Sequence, residues 1–255
     1  MVVAVGEMVS KELIGKRVLP LRGEGTWQEY VRTSVDWAVV IPDTIDNITA
    51  AQMYINPLTA LVICREVLRL KRDDVLVVNA CGSSIGRIIA QLAKVIGFRL
   101  IAAVRSEHHT TDLLNLGAAV VIDTSKESLQ EAVANYTNGR GVNAAIDSIG
   151  GIQGTALAQC VQSNGDFLTI GLLSGEQINW RDIVHYHSIK VNIFHLRHWN
   201  ASVTSEKWQC TFKEIITLVE RKQMCLMPSN HSFPLEKVGE AVRTITAKKP
   251  GEIFL

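Results

Sequence analysis

No sign of charge dominates this sequence. Its 26 lysines and arginines are nearly balanced by 25 aspartates and glutamates, which removes the electrostatic footprint of a protein whose main partner is nucleic acid or an anionic membrane. Any positive site must therefore be local. Paired cysteines are missing too. Cys64, Cys81, Cys160, Cys210 and Cys225 lie far apart without CxxC spacing, an odd set that describes neither a disulfide framework nor a zinc finger. Such usage suits a reducing cytoplasm. The stretch Met1 to Met8 has no basic segment leading into an apolar run and a small-residue cleavage site, and no apolar stretch reaches membrane-spanning length. A soluble, cytoplasmic protein is expected. Repeats of solenoid period and low-complexity tracts are absent as well.

What is present is ample core material: 255 residues, 47% of them hydrophobic, enough for one large domain or two modest ones. Residues 1–60 are irregular in period. Arg17-Val18-Leu19 and Glu29-Tyr30-Val31 read as short strands punctuated by Pro20, Gly23, Gly25 and Pro42. From Val75 the rhythm changes to apolar strands alternating with amphipathic helices. Strands are expected at 75–79, 100–104, 119–122, 143–147, 166–170 and 190–194, and helices near 84–96, 108–116, 127–137, 151–163 and 204–221. The strands are almost continuously apolar, as burial on both faces of a parallel sheet requires. The fold class is therefore α/β, with a doubly wound parallel Rossmann sheet.

Between the first strand and first helix of that rhythm lies Asn79-Ala80-Cys81-Gly82-Ser83-Ser84-Ile85-Gly86. Its small residues would let backbone N–H groups approach a pyrophosphate at a helix N-terminus. The loop departs from GxGxxG, and a tight turn without a ligand is the plain alternative. Its placement between a buried strand and a helix carrying Ile88, Ile89, Leu92 and Val95 is the context that the phosphate-binding reading demands. The second strand ends Val104-Arg105-Ser106, where an NAD-specific site would carry an acidic residue on the ribose 2′-hydroxyl. A carboxylate there repels a 2′-phosphate and a guanidinium binds it. The expected cofactor is NADPH; an ordinary exposed arginine at a strand end is the alternative.

The residues together resemble the medium-chain dehydrogenase/reductase superfamily, in particular its zinc-free quinone reductase and mitochondrial-type 2-enoyl thioester reductase branches. The resemblance spans nearly the whole chain. It rests on Gly25-Thr26-Trp27, Val40-Ile41-Pro42, Asn56-Pro57-Leu58-Thr59-Ala60, the Ala80 to Gly86 loop, Asp147 to Gly151, Thr169 to Leu172 and Phe194 to Trp199. The superfamily loop commonly reads AxxGxxG; Ser83 stands in place of the middle glycine, as in many enoyl thioester reductases. The resemblance implies that Asn56 and Thr59 face the nicotinamide end, that Gly82, Ser83, Ser84 and Ile85, with Gly86, form the pyrophosphate loop, and that Arg105 and Ser106 take the 2′-phosphate. It also implies that Ile170, Gly171, Leu172 and Leu173, with Phe194, His195 and Leu196, line the cofactor cleft.

The same resemblance divides the chain into a partial GroES-like β region at 1–60, a Rossmann dinucleotide-binding domain at 61–200, and C-terminal helices with a strand returning to the N-terminal region at 201–255. Residues 1–42 match only the latter part of the family's GroES-like domain, and the portion carrying a tyrosine proposed to assist proton transfer has no counterpart. That role is not transferred to Tyr30. The segment Val191 to Phe194 lies where relatives pair edge strands across a homodimer, and an apolar unpaired edge is an aggregation risk.

Metal chemistry finds no support. Zinc-dependent relatives place a cysteine four positions before the threonine equivalent to Thr59, and here that residue is Ile55, which cannot ligate. His108-His109, His185 with His187, and His195 with His198 lack converging partners, so no metal is expected. Ser83, Ser84 and Ser148 are not in a GxSxG elbow, and Asp147 reads as a loop or cleft residue rather than a triad acid. Trp180, Trp199 and Trp208 read as core, with an apolar substrate wall as the alternative. Three functions follow from these readings: an NADPH-dependent reductase of a conjugated C=C bond or a quinone, a catalytically weak NADPH-binding protein, and a shortened product of such an enzyme. In each, the small-molecule site is the nicotinamide cleft and the catalytic residues are unassigned.

Overall fold

A computed structural model of the chain describes residues 1–21, 25–184, 188–228 and 233–247. The chain divides into two compact units, one made of Met1–Leu58 with Ser202–Leu255 and the other of Thr59–Ala201.

The first unit begins with an antiparallel ribbon of β1 (Val18–Pro20) and β2 (Ala38–Val40), in which Leu19 pairs with Val39. The strand expected at Glu29-Tyr30-Val31 is not formed: Trp27 to Tyr30 is a series of bends. The reason is burial. Val39 is 3% exposed and fixes the inward face of the ribbon, whereas Tyr30 is 72% exposed and brings nothing to pack. Helix α1 (Asn47–Gln52) is capped by Asp46, whose Oδ1 accepts from Thr49 N at 2.9 Å. Helix α2 (Ile55–Val62) carries Pro57 in its first turn, where the missing N–H costs no hydrogen bond. A π-helical turn, Ile63–Val67, continues it and closes with Leu68 N donating to Ile63 O at 2.9 Å.

The second unit holds six parallel strands: β3 (Val75–Val78), β4 (Arg99–Val104), β5 (Ala118–Asp123), β6 (Val142–Asp147), β7 (Val161–Thr169) and β8 (Lys190–Ile193). Their order across the sheet is β5-β4-β3-β6-β7-β8, the doubly wound Rossmann arrangement. Helices α3 (Ser84–Ile96), α4 (Thr110–Leu116), α5 (Leu129–Thr137), α6 (Gly151–Ala158) and α7 (Trp180–Val184) connect the strands. Leu76, Val77, Leu100, Ile101, Ala145 and Ile146 are fully buried, as strands covered on both faces must be. Trp180 packs edge-on against Phe167 with centroids 5.7 Å apart, so it belongs to the core.

Two boundaries differ from expectation. The helix expected over 151–163 stops at Ala158, because Val161, 1% exposed, pairs with Val142 and starts β7 early. The helix expected from 108 starts at Thr110, after a 3-10 turn at Glu107–His109 that the Ser106 side chain caps. The chain then passes through α8 (Leu196–Ser202) and re-enters the first unit with α9 (Ser205–Glu220), a 3-10 turn at Leu235–Lys237 and α10 (Val238–Ala247). A returning strand is not found among the described residues of 201–255, and residues 248–255 lie outside them. No helix among the described residues is long and apolar enough to cross a membrane.

Candidate functional site

In this strand order the chain leaves β3 for β4 on one side, and β6 lies on the other. The loops after β3 and β6 therefore diverge at the carboxyl ends of the strands and open a crevice there. The loop after β3 is tightly specified. Ala80 adopts a left-handed backbone (φ 49°), Cys81 N donates to Ala103 O of β4 at 3.2 Å, and Ser83 N donates to Ala80 O at 3.0 Å. Ser83 then caps α3, its Oγ accepting from Gly86 N at 3.4 Å. The first-turn amides of Ser84 and Ile85 are left without intrahelical partners. Gly86 is fixed by close approach: a Cβ there would lie 2.4 Å from Cys81 O. Cys81 is fully buried, and burial pushes its thiol up to about 12, which makes it an inert packing group.

The loops after β6 and β7 are bound to this one and to each other. Asn79 Nδ2 donates to Asp147 Oδ1 at 2.5 Å, and Asn79 Oδ1 accepts from Ser148 N at 2.8 Å. Asp147, fully buried, also accepts from Ile149 N and Gly150 N at 3.1 Å. This carboxylate braces the crevice from below. Ile170 N donates to Asp147 O at 2.8 Å, Leu173 N to Ser148 O at 3.0 Å, and Gly151 N to Glu176 O at 2.8 Å. Gly150 has φ 75°, and a Cβ there would lie 2.5 Å from Glu176 O, so neither its conformation nor its surroundings admit another residue. Leu172 and Leu173 are exposed at 44% and 70%.

At the end of β4, Arg105 is exposed and makes no ion pair among the described residues. The neighbouring carboxylates are already occupied. Glu107 pairs with Lys126, which holds its carboxyl below the usual range, and Asp112 pairs with Arg87. Asp123 accepts from Ser125 Oγ at 2.6 Å and from Ser125 N at 3.0 Å, which lower its carboxyl as well.

Phe194 continues from β8, its N donating to Thr169 O at 2.9 Å, and is half-buried. His195 Nδ1 accepts from Arg197 N at 3.1 Å, so the exposed ring caps the start of α8, its centroid 5.5 Å from that of His198; Leu196 is buried. Trp199 Nε1 donates to Glu66 Oε2 at 3.1 Å, a partner presented by the π-helical turn.

Of the residues singled out in the sequence, Gly82 and Ser83 with the first turn of α3 (Ser84 to Gly86), Arg105 with Ser106, Ile170 to Leu173, and Phe194 all lie at the carboxyl ends of the parallel strands. Asn56 and Thr59 stand one turn apart on α2, the first half-buried and the second buried, with Asn56 in the first unit and Thr59 in the second. Ile55 is 57% exposed at the position considered for a metal ligand. Among the described residues no three His, Cys, Asp or Glu side chains converge on a point; His185 and His187 lie outside them. The residue that sequence reasoning undervalued is Asn79. Its signal was a polar side chain at the end of an otherwise apolar strand, three residues before Gly82, facing the matching Asp147 at the end of β6.

Residues 84–217 match the family model of the zinc-binding dehydrogenases. The chain belongs to that family. Within the zinc-binding dehydrogenases its relatives point to the quinone and enoyl reductase branch. It is 30% identical over 172 residues to the quinone oxidoreductase of Salmonella typhimurium, covering 67% of this chain and 53% of that protein. It is 25% identical over 220 residues to the mitochondrial enoyl-[acyl-carrier-protein] reductase of Dictyostelium discoideum, covering 83% and 60%. The chain thus spans about half the length of the curated relatives it matches. Among solved structures, a Bacillus thuringiensis protein assigned as an NADPH:quinone reductase superposes with a TM-score of 0.94 at 57% identity, over 99% of this chain and 75% of that one.

Proposed function

We propose that the chain is an NADPH-dependent oxidoreductase that reduces a conjugated C=C bond, as in an enoyl thioester, or a quinone, without zinc. The observation that carries the cofactor reading is the uncommitted guanidinium of Arg105 at the end of β4, in a neighbourhood whose carboxylates are all engaged. The loop fits a pyrophosphate on its own geometry: small side chains, a turn drawn tight by the close approach of Gly86 to the Cys81 backbone, and two first-turn amides without intrahelical partners. The assignment of the Bacillus thuringiensis neighbour as an NADPH:quinone reductase supports the same cofactor. Bound there, NADPH would supply the hydride.

The chain's own residues then have defined tasks. Ser83, Ser84, Ile85 and Gly86 hold the pyrophosphate, Arg105 and Ser106 the 2′-phosphate, and Asn56 and Thr59 the nicotinamide amide. Ile170, Gly171, Leu172, Leu173, Phe194, His195 and Leu196 line the cleft and exclude water, so that an electron-poor alkene or quinone stacks in the right orientation. The exposed leucines at 172 and 173 favour an apolar substrate. Zinc has no place in this scheme, since Ile55 carries no donor atom. The exposed apolar edge of β8, where Ile193 is 82% exposed, supports a homodimer formed by strand pairing; analytical ultracentrifugation of Ile193→Lys against the unaltered chain checks that.

Two measurements test the function. Exchanging Arg105 for Glu is expected to weaken NADPH about 10- to 100-fold while leaving NADH within a few-fold, the size of one lost charge-assisted contact; equal losses for both would remove the specificity role. Loss of NADPH absorbance is then followed with crotonyl-thioester and quinone panels. Turnover above a cofactor-only control supports the reductase, whereas tight NADPH binding with no turnover supports the catalytically weak binding protein.

A further inference from the structure

His109 stands outside the residues that the loop sequence singles out. It ends the 3-10 turn after β4, and its exposed ring lies against the phosphate loop. A Cβ built on Gly82 would sit 2.5 Å from His109 Cδ2 and 2.9 Å from both Cγ and Nε2. The imidazole therefore occupies the volume that any side chain at residue 82 would take, next to the open first turn of α3.

The charged groups on its own segment and on the elements that flank it come from four places. Arg105, Glu107 and His108 are on its own segment, Arg87 is on α3, Asp112 on α4, and Asp123 and Lys126 follow from the end of β5. Asp112 is held by Arg87, Glu107 by Lys126, and Asp123 by Ser125. Among the described residues Arg105, His108 and His109 form no ion pair. With the histidines neutral the named cations and carboxylates balance, three against three, and among the described residues Arg105 is the one of those cations that no carboxylate pairs.

We propose that His109 is a phosphate-contacting residue of the dinucleotide site, its Nε2 edge closing the outer side of the loop over Gly82, and that its protonation strengthens binding of the pyrophosphate. The inference rests on the dinucleotide reading above. A neutral imidazole can donate one N–H to a phosphate oxygen, and an imidazolium adds a full positive charge to that contact.

The probe is ADP-ribose, which carries the pyrophosphate without a 2′-phosphate whose own ionisation would confuse the profile. Calorimetric titration of the full chain between about pH 8 and about pH 6 is expected to show ADP-ribose binding tighten by roughly three- to tenfold, the range of one added charge-assisted hydrogen bond. His109→Gln, which keeps a donor but cannot titrate, is expected to bind with a flat profile close to the wild-type value at the higher pH. His108→Gln is expected to keep the wild-type slope. If His109→Gln retains that slope, or if His109→Ala binds ADP-ribose more tightly than wild type because the ring was a plug, the inference is overturned while the cofactor assignment stands. If the wild-type chain binds neither ADP-ribose nor NADPH, the cofactor assignment itself falls and takes this inference with it.

Discussion

The two units of the chain hold themselves together in different ways. The unit Thr59–Ala201 spreads its stability over a six-stranded parallel ladder whose central strands are buried on both faces, so each contact there is backed by several others. Among its described residues the other unit has only a three-residue ribbon, and it relies on an aromatic node. Trp208, fully buried, meets Trp37 edge-on at 5.3 Å and Tyr54 at 6.2 Å, and stacks on Phe212 at 5.4 Å. A ladder degrades gradually and a node fails at once. Thiols divide along the same line: Cys64, Cys81 and Cys160 are buried in the unit Thr59–Ala201, and Cys210 and Cys225 are exposed in the other.

The largest expected break in this comparison is Trp208→Ala, which should cost about 3–5 kcal/mol. Hydrogen exchange should show protection lost around α9 and β1–β2 while the parallel sheet keeps its own; equal loss in both would mean that the node does not serve one unit alone. Alkali should act the other way round. Burial pushes Cys64, Cys81 and Cys160 up to about 12 from 9.0. A raised thiol contributes its stability fully below the unfolded value and loses it as pH rises from about 9 toward 12. The slope is about 1.4 kcal/mol per thiol and pH unit at most. Urea melts at pH 8 and pH 10 should therefore differ, and Cys160→Ala should flatten the difference; an unchanged difference would sink the thiol explanation.

Asp147→Asn is expected to cost about 2–3 kcal/mol, because the buried donors Asn79 Nδ2, Ile149 N and Gly150 N would have one amide oxygen and an NH2 group in place of two acceptor oxygens. It should also weaken NADPH, readable as separate changes in melting temperature and in dissociation constant. The smallest effect is expected from Ala80→Gly. Relief of a left-handed alanine is worth roughly 1–2 kcal/mol and the added chain entropy about 1 kcal/mol, so a net gain below about 1 kcal/mol should appear as a slightly higher melting temperature.

How much of this was legible follows the same division. The parallel sheet was readable because Val75 to Val78 and Leu100 to Val104 are apolar without a break, a pattern that only double burial explains. Its loops were readable wherever small residues cluster, as at Gly82 to Gly86. The first unit was much less so. Strand β2 was hidden because three residues carry no periodicity, and α1 and α2 were passed over because helices of six and eight residues are too short to show a helical period clearly. The Asn79–Asp147 bond joins residues 68 positions apart, and no local pattern encodes a pairing made by strand order. His109 was discounted for the same reason: its neighbour in sequence is His108, but its neighbour in space is Gly82.

The laced loops after β6 and β7 carry a consequence for anyone wishing to alter this protein. Leu173 N reaches Ser148 O, Gly151 N reaches Glu176 O, and Gly171 sits where a Cβ would lie 2.9 Å from Ser148 O. The two segments are thus a single mechanical part with two sequence addresses. Randomising one address alone forces mismatches against an unchanged partner, so a library aimed at a new substrate should vary Leu173, the more exposed of the two leucines, before Leu172, whose side chain lies over Gly150, and leave the glycines and their opposing carbonyls as a fixed hinge plate.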